Sequence, residues 1–323
     1  MLLYSEPQPS FITLQMRQDI LLHIKVELVN PTGSIKYKTA RNLLDDAEKQ
    51  GLIKPGSTII ESSSGNLGIA LAALCAQRGF DFICVVDPNI SAQSRKTIKA
   101  YGGKVHCVTE KDANGGYLGT RINYVKSYIA ENPGTFWTNQ YGSPSNPGAH
   151  YRYTAREIEQ NVPDLDLLAI GAGTTGTLIG CCEYFADRID ILAVDSLGSV
   201  TFGGRPGPRY VPGLGASETP PIFRPGLVKD HISVPESEAI VMCHWLAATH
   251  GYLAGGSTGT VLAGVAHRLP TLKAGSTIVA ISPDGGEKYL DTVYNSAWVE
   301  KHFGSDLLRR IEHNRRAAVP EIG

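Results

Sequence analysis

Leu167-Leu168-Ala169-Ile170-Gly171-Ala172-Gly173-Thr174-Thr175-Gly176-Thr177 is a short apolar run that ends in a turn of glycines and threonines, and a second apolar stretch begins at Leu178. Four consecutive apolar residues suit a strand buried on both faces, and the glycines mark the turn into a helix. The same succession recurs along the chain. Residues 57–61, 82–86, 105–108, 191–194 and 277–281 are rich in apolar and β-branched side chains, and amphipathic or Ala/Leu-rich segments separate them. Strands that alternate with helices build mostly parallel sheets flanked by helices, so the expected fold class is α/β.

A chain of 323 residues is long enough for about two domains, because single cores stop growing near 250 to 300 residues. Thirty basic residues against 31 acidic ones leave a formal charge of -1, without the broad basic field that nucleic-acid binding needs. The six cysteines show no C-x-x-C spacing and several sit in apolar stretches, which reads as reduced thiols in a cytoplasmic protein. No charged-then-apolar segment opens the chain and no apolar run approaches the roughly 18 residues of a membrane span, so no membrane association is expected. The nine histidines show no metal-ligand spacing, and no metal is expected. The proline- and asparagine-rich residues 139–148 suggest a domain boundary, and the Gly/Pro-dense residues 203–215 a loop on the substrate side.

Three turns carry the chemistry. The first, Glu61-Ser62-Ser63-Ser64-Gly65-Asn66, lies between the strand at 57–60 and a helix beginning near Leu67. Free N–H groups at a helix start, with serine and asparagine donors beside them, suit a carboxylate or phosphate; plain helix capping is the other reading. The second is the Gly171–Thr177 turn. It matches G-x-G-x-x-G, and Asp195 stands where a dinucleotide site would place its ribose acid. Three threonine hydroxyls suit a terminal phosphate equally well, so a phosphate monoester and a dinucleotide both remain open on this loop. The third, Ala254-Gly255-Gly256-Ser257-Thr258-Gly259, is expected to precede a helix over residues 260–269 in the same way. Strand-to-helix turns of a parallel sheet emerge on one edge, where ligands bind.

Asn30-Pro31-Thr32-Gly33-Ser34-Ile35-Lys36 breaks the chain just before a helical stretch over residues 37–49. The positive end of the helix dipole depresses the pKa of a lysine placed there, as a Schiff-base lysine and proton shuttle requires. Lys38 competes with Lys36 on chemistry alone, and a solvated lysine is the bland alternative.

Taken in order, N-P-x-G-S-x-K, S-S-G-N-x-G, G-x-x-T-G-T and G-G-S-x-G cover nearly the whole chain, and the set resembles the cysteine synthase and cystathionine β-synthase family. The resemblance implies a two-domain pyridoxal-phosphate (PLP) β-synthase fold (fold type II), usually a homodimer. Residues 40–145 would form a smaller, mobile domain, and residues 1–39 with 146–323 a larger one. Lys36 would hold the cofactor as an internal aldimine and act as general base. Asn66 would meet the cofactor hydroxyl and Ser257 the pyridine nitrogen, while Gly173, Thr174, Thr175, Gly176 and Thr177 would cup its phosphate. Ser63, Ser64 and Gly65 would bind the substrate carboxylate, with Gln140 beside it. Two features depart from the family pattern: its opening G-x-T-P is absent, with Gln8-Pro9-Ser10-Phe11 in that neighbourhood, and Tyr37-Lys38 follow the lysine.

Within the family, Asp112-Ala113-Asn114-Gly115-Gly116-Tyr117-Leu118, Thr120-Arg121-Ile122, Asn139-Gln140-Tyr141 and Pro212-Gly213-Leu214-Gly215-Ala216-Ser217 most resemble a branch serving siderophore and natural-product biosynthesis. That branch joins O-phospho-L-serine to L-glutamate through an aminoacrylate intermediate, giving N-(2-amino-2-carboxyethyl)-L-glutamate, a precursor of 2,3-diaminopropionate. Arg121 and Tyr141 are the expected substrate-choosing residues, since a guanidinium fits a phosphate or a second carboxylate. The alternatives are a cysteine synthase or another β-substituted alanine synthase and, from other classes, an NAD-dependent dehydrogenase or a silent binding partner.

Overall fold

A computed structural model describes residues 8–17, 19–112, 115–320 and 322 of the chain. Ala113 and Asn114 of the quoted motif lie outside these residues, as do residues 1–7 of the expected larger domain. The strands are β1 (Ser10–Gln15), β2 (Leu21–Val26), β3 (Thr58–Ser62), β4 (Asp81–Val86), β5 (Lys104–Cys107), β6 (Phe136–Trp137), β7 (Leu167–Gly171), β8 (Asp190–Ser196), β9 (Asp230–Val234) and β10 (Thr277–Ser282). They fall into two compact units, one comprising Asn30–Ala149 and the other Gln8–Val29 with His150–Gly323.

In the first unit β5, β4, β3 and β6 lie side by side in that order, all parallel. Successive side chains of a strand serve opposite faces. Ile59, Phe82, Cys84 and Val86 pack on one face with Leu43 and Leu44 of the helix Lys36–Lys49 and with Leu67 and Leu71 of the helix Asn66–Arg78. Ile60, Ile83 and Val85 pack on the other with Val125 of the helix Leu118–Glu131 and with Trp137. Burial on both faces is why residues 82–86 read as an unbroken apolar run.

The second unit has the order β1-β2-β10-β7-β8-β9, with β1 antiparallel to β2 and every other neighbour parallel. Leu22, Ile24, Ala169, Leu192, Val194 and Ala280 meet Val261, Leu262 and Val265 of the helix Gly256–Arg268, backed by Met242, Trp245 and Leu246 of the helix Glu236–His250. These two helices approach closely through Gly259: a Cβ there would lie 2.1 Å from the Ala239 carbonyl oxygen.

All six strands expected from the sequence are present, with ends within two residues of the expected ones. Two expectations about the third turn are corrected. The helix expected over 260–269 begins four residues earlier, at Gly256, so Ser257 sits in its first turn. The third turn also follows no strand: the helix Glu236–His250 precedes it, and Ala254 makes only an isolated antiparallel bridge with Gly285. Glycine and serine kept that first turn from reading as helix, yet small residues are what the close packing against Ala239 requires. No helix among the described residues is long and apolar enough to cross a membrane.

Candidate active site

In the first unit, Asn30 builds the turn that presents Lys36. Its Oδ1 accepts from the Thr32 N–H and hydroxyl, both at 3.1 Å, and its Nδ2 donates to the Ser34 carbonyl at 2.9 Å. Gly33 supplies the positive φ, +65°, that the turn needs. Lys36 is the first residue of the helix that follows. Its side chain is half-buried, and loss of water around the ammonium lowers its pKa to about 8 from 10.5. The depression expected from the sequence is present, and desolvation is its cause.

Ser63, Ser64 and Gly65 link β3 to the helix Asn66–Arg78, whose first residue is Asn66. The Ser63 hydroxyl caps that helix, accepting from the Gly68 N–H at 3.1 Å. Glu61 supports the loop from below. It is fully buried and accepts from the Ser62 N–H (2.7 Å), the Thr138 hydroxyl (2.6 Å), the Gln140 N–H (3.0 Å) and Trp137 Nε1 (3.2 Å). Burial raises its pKa, and these four hydrogen bonds oppose the rise. Gln140 completes the clasp by donating from Nε2 to the Ser62 carbonyl at 3.1 Å.

Arg121, on the helix Leu118–Glu131, reaches the same loop. Its Nη1 donates to Ser64 Oγ at 3.1 Å and its Nε lies 3.4 Å from Asp87 Oδ2, at the carboxyl end of β4. Arg121 also hydrogen-bonds Tyr141, whose phenol burial pushes upward and the guanidinium pulls back. Ser64, Arg121, Tyr141 and Asp87 therefore form one cluster. Arg121 is no solvated surface arginine: its side chain is 11% exposed.

In the second unit the Gly171–Thr177 turn leads from β7 into the helix Gly176–Phe185. The Gly/Pro-rich loop at 203–215 lies directly on it. A Cβ at Gly171 would sit 2.7 Å from Leu214 Cδ2, and one at Gly173 would sit 3.0 Å from the Gly213 carbonyl oxygen. Gly213 also faces Ser257: a Cβ there would lie 3.6 Å from Ser257 Oγ. Close contact thus calls for glycine at Gly171 and Gly173, whereas Gly213, at φ +117°, is set by its backbone and joins the turn to Ser257. Thr175 is a β-branched residue at φ +67°, and its hydroxyl is buried with no hydrogen-bond partner among the described residues. An orphaned hydroxyl at the N-cap of a helix, beside the N–H groups of its first turn, fits the oxygens of a phosphate monoester.

Asp195, which the dinucleotide reading needs on a ribose, is 1% exposed and turned into its own loop, accepting from the Ser196 N–H at 2.8 Å and from the Ser199 and Thr201 hydroxyls. The residues not foreseen are Glu61, Asp87 and His150. Glu61 was the one with a local signal, as the acid immediately before the Ser62–Asn66 turn.

Residues 12–284 match the protein family described as pyridoxal-phosphate dependent enzyme. The chain is 41% identical over 281 residues to an N-(2-amino-2-carboxyethyl)-L-glutamate synthase from Ralstonia nicotianae (strain ATCC BAA-1114 / GMI1000), covering 86% of this chain and 83% of that one. Among solved structures it resembles O-ureido-L-serine synthase, with 33% identity and a TM-score of 0.83 over 90% of this chain and 93% of the other. It also resembles the O-acetylserine dependent cystathionine β-synthase from Helicobacter pylori, with 27% identity and a TM-score of 0.84 over 91% of this chain and 100% of the other.

Proposed function

The chain belongs to the pyridoxal-phosphate dependent enzymes, and on that premise we propose that it joins O-phospho-L-serine to L-glutamate by β-replacement, releasing phosphate and forming N-(2-amino-2-carboxyethyl)-L-glutamate. Bound pyridoxal phosphate supplies an electron sink for the carbanion left when Cα loses its proton. Lys36 holds the cofactor at rest, takes that proton on Nζ, and returns it to Cα once the nucleophile has added. A pKa near 8 lets it do both near neutrality. Asn66 is assigned to the cofactor hydroxyl, and Gly173, Thr174, Thr175, Gly176 and Thr177 to its phosphate. Ser257 is assigned to the pyridine nitrogen. A neutral hydroxyl there leaves that nitrogen largely unprotonated, which tempers the electron sink and disfavours transamination.

The loop Ser63–Gly65 and Gln140 take the substrate carboxylate. The observation that carries the choice of substrate is the hydrogen bond from Arg121 Nη1 to Ser64 Oγ, which fixes a cation on that loop. A guanidinium so placed favours a phosphate on Cβ over a neutral ester. The relative from Ralstonia nicotianae supports glutamate as the amine.

Mass spectrometry of products tests the reading, with PLP-loaded protein given O-phosphoserine or O-acetylserine, each with glutamate or with sulfide. A glutamate adduct formed selectively from O-phosphoserine is expected. Cysteine without any glutamate adduct would overturn the choice of nucleophile and leave a cysteine synthase. Light scattering after gel filtration tests the homodimer that the family resemblance implies.

A further inference from the structure

His150 is completely buried in the helical turn His150–Thr154, and each of its ring nitrogens faces a hydroxyl. Nδ1 lies 3.0 Å from Thr154 Oγ1, and Nε2 lies 3.3 Å from Thr177 Oγ1. Thr177 belongs to the turn assigned to the cofactor phosphate, while neither His150 nor Thr154 has a place in the chemistry so far. The turn has the wider π-helical geometry, which is rare and concentrates at functional positions.

Hydrogen-bond polarity decides what His150 does. A phosphate dianion offers acceptors only, so a threonine that binds it must give up its single hydroxyl hydrogen to the anion. Thr177 Oγ1 is then left with lone pairs, and its neighbour at 3.3 Å must be a donor. That requires the proton on His150 Nε2. A neutral imidazole protonated at Nε2 accepts at Nδ1, where the Thr154 hydroxyl is placed to donate. With the opposite polarity Thr177 would donate into the ring and turn its lone pairs toward the anion.

We propose that His150 is a positioning residue for the cofactor phosphate: held beside Thr154 and donating from Nε2, it aims the Thr177 hydroxyl hydrogen at the anion. The role concerns cofactor retention, so it stands or falls independently of which nucleophile the enzyme uses.

The test titrates apo-protein with pyridoxal phosphate and reads the dissociation constant, without turnover. His150→Leu is expected to weaken binding about tenfold, the size of one hydrogen bond to a charged group. His150→Gln, which carries an N–H near the position of Nε2, is expected to restore most of the affinity. His150→Glu, which puts an acceptor there, is expected to bind more weakly than His150→Gln. In a Thr177→Val background, His150→Leu should change the constant by less than about twofold, because the residue through which it acts is gone. Equal weakening in both backgrounds would overturn the proposal, as would unchanged affinity in His150→Leu. Should His150→Leu not fold, equal affinity of the Gln and Glu variants overturns it instead.

Discussion

Ser64 and Asp87 hold each other in both directions: the Ser64 hydroxyl donates to Asp87 Oδ2 at 2.9 Å and accepts from the Asp87 N–H at 3.2 Å. Arg121 Nη1 donates to the remaining lone pair at 3.1 Å, so the single hydrogen and both lone pairs of the hydroxyl are in use. The Ser64 side chain therefore ties the loop to Arg121, and the loop's backbone N–H groups are left to hold a carboxylate. Asp87→Ala releases Ser64 and Arg121 together. Initial rates of phosphate release should show KM for O-phospho-L-serine rising about tenfold, with kcat changed far less. An unchanged KM would separate the cluster from substrate binding.

Thr175 is strained for the sake of its hydroxyl. Left-handed backbone raises the energy of a non-glycine residue by roughly 1–2 kcal/mol, and the hydroxyl is orphaned as well. Thr175→Gly should stabilise the apo-protein toward urea by about 1 kcal/mol and bind pyridoxal phosphate more weakly than the wild type. The two effects have opposite signs. A glycine variant that retains the cofactor as tightly as the wild type would show that the hydroxyl is not used.

How legible the molecule is from its sequence depends on the distance over which each feature is written. Strands β4, β7 and β10 are covered on both faces and spell continuous apolar runs, which makes them legible. β9 alternates exposed and half-buried residues and β6 has only two residues, which leaves little pattern to find. The turn at Gly171–Thr177 is local and was visible, including its glycines. Asp87 and His150 carry no local signal for partners 23 and 27 residues away, at Ser64 and Thr177, and Glu61, although it stands next to the turn, does not reveal its bond to Thr138, 77 residues on. Asp195 shows the reverse failure: its spacing matched a dinucleotide site, but spacing does not record that the carboxylate faces its own loop.

Glu61 is the anchor whose loss should be felt furthest. Four neutral donors converge on its two oxygens, whereas a glutamine presents one oxygen and an amide that itself donates. Glu61→Gln therefore leaves buried donors facing a donor. It should destabilise the protein by about 2–3 kcal/mol in denaturant unfolding. An effect below about 0.5 kcal/mol would mean that residues 137–140 are held by other contacts.

Lys36 sets how folding and cofactor capture depend on pH. Burial lowers its ammonium to about 8 from 10.5, so between those values the unfolded chain holds a proton that the folded chain has released. Stability then rises with pH across that window and gains nothing from this group below it, where both states are charged. Thermal unfolding of apo-protein against Lys36→Met should show the wild type gaining on the variant between about pH 8 and 10.5. The same titration controls loading, since only the free amine attacks the cofactor's aldehyde carbon. The rate at which visible absorbance appears on adding pyridoxal phosphate should climb about tenfold per pH unit below pH 8 and level off above it. A rate that keeps climbing to about pH 10 would mean that the Lys36 ammonium is solvated as an ordinary lysine is, and the proton-shuttle role assigned to it would lose its physical basis.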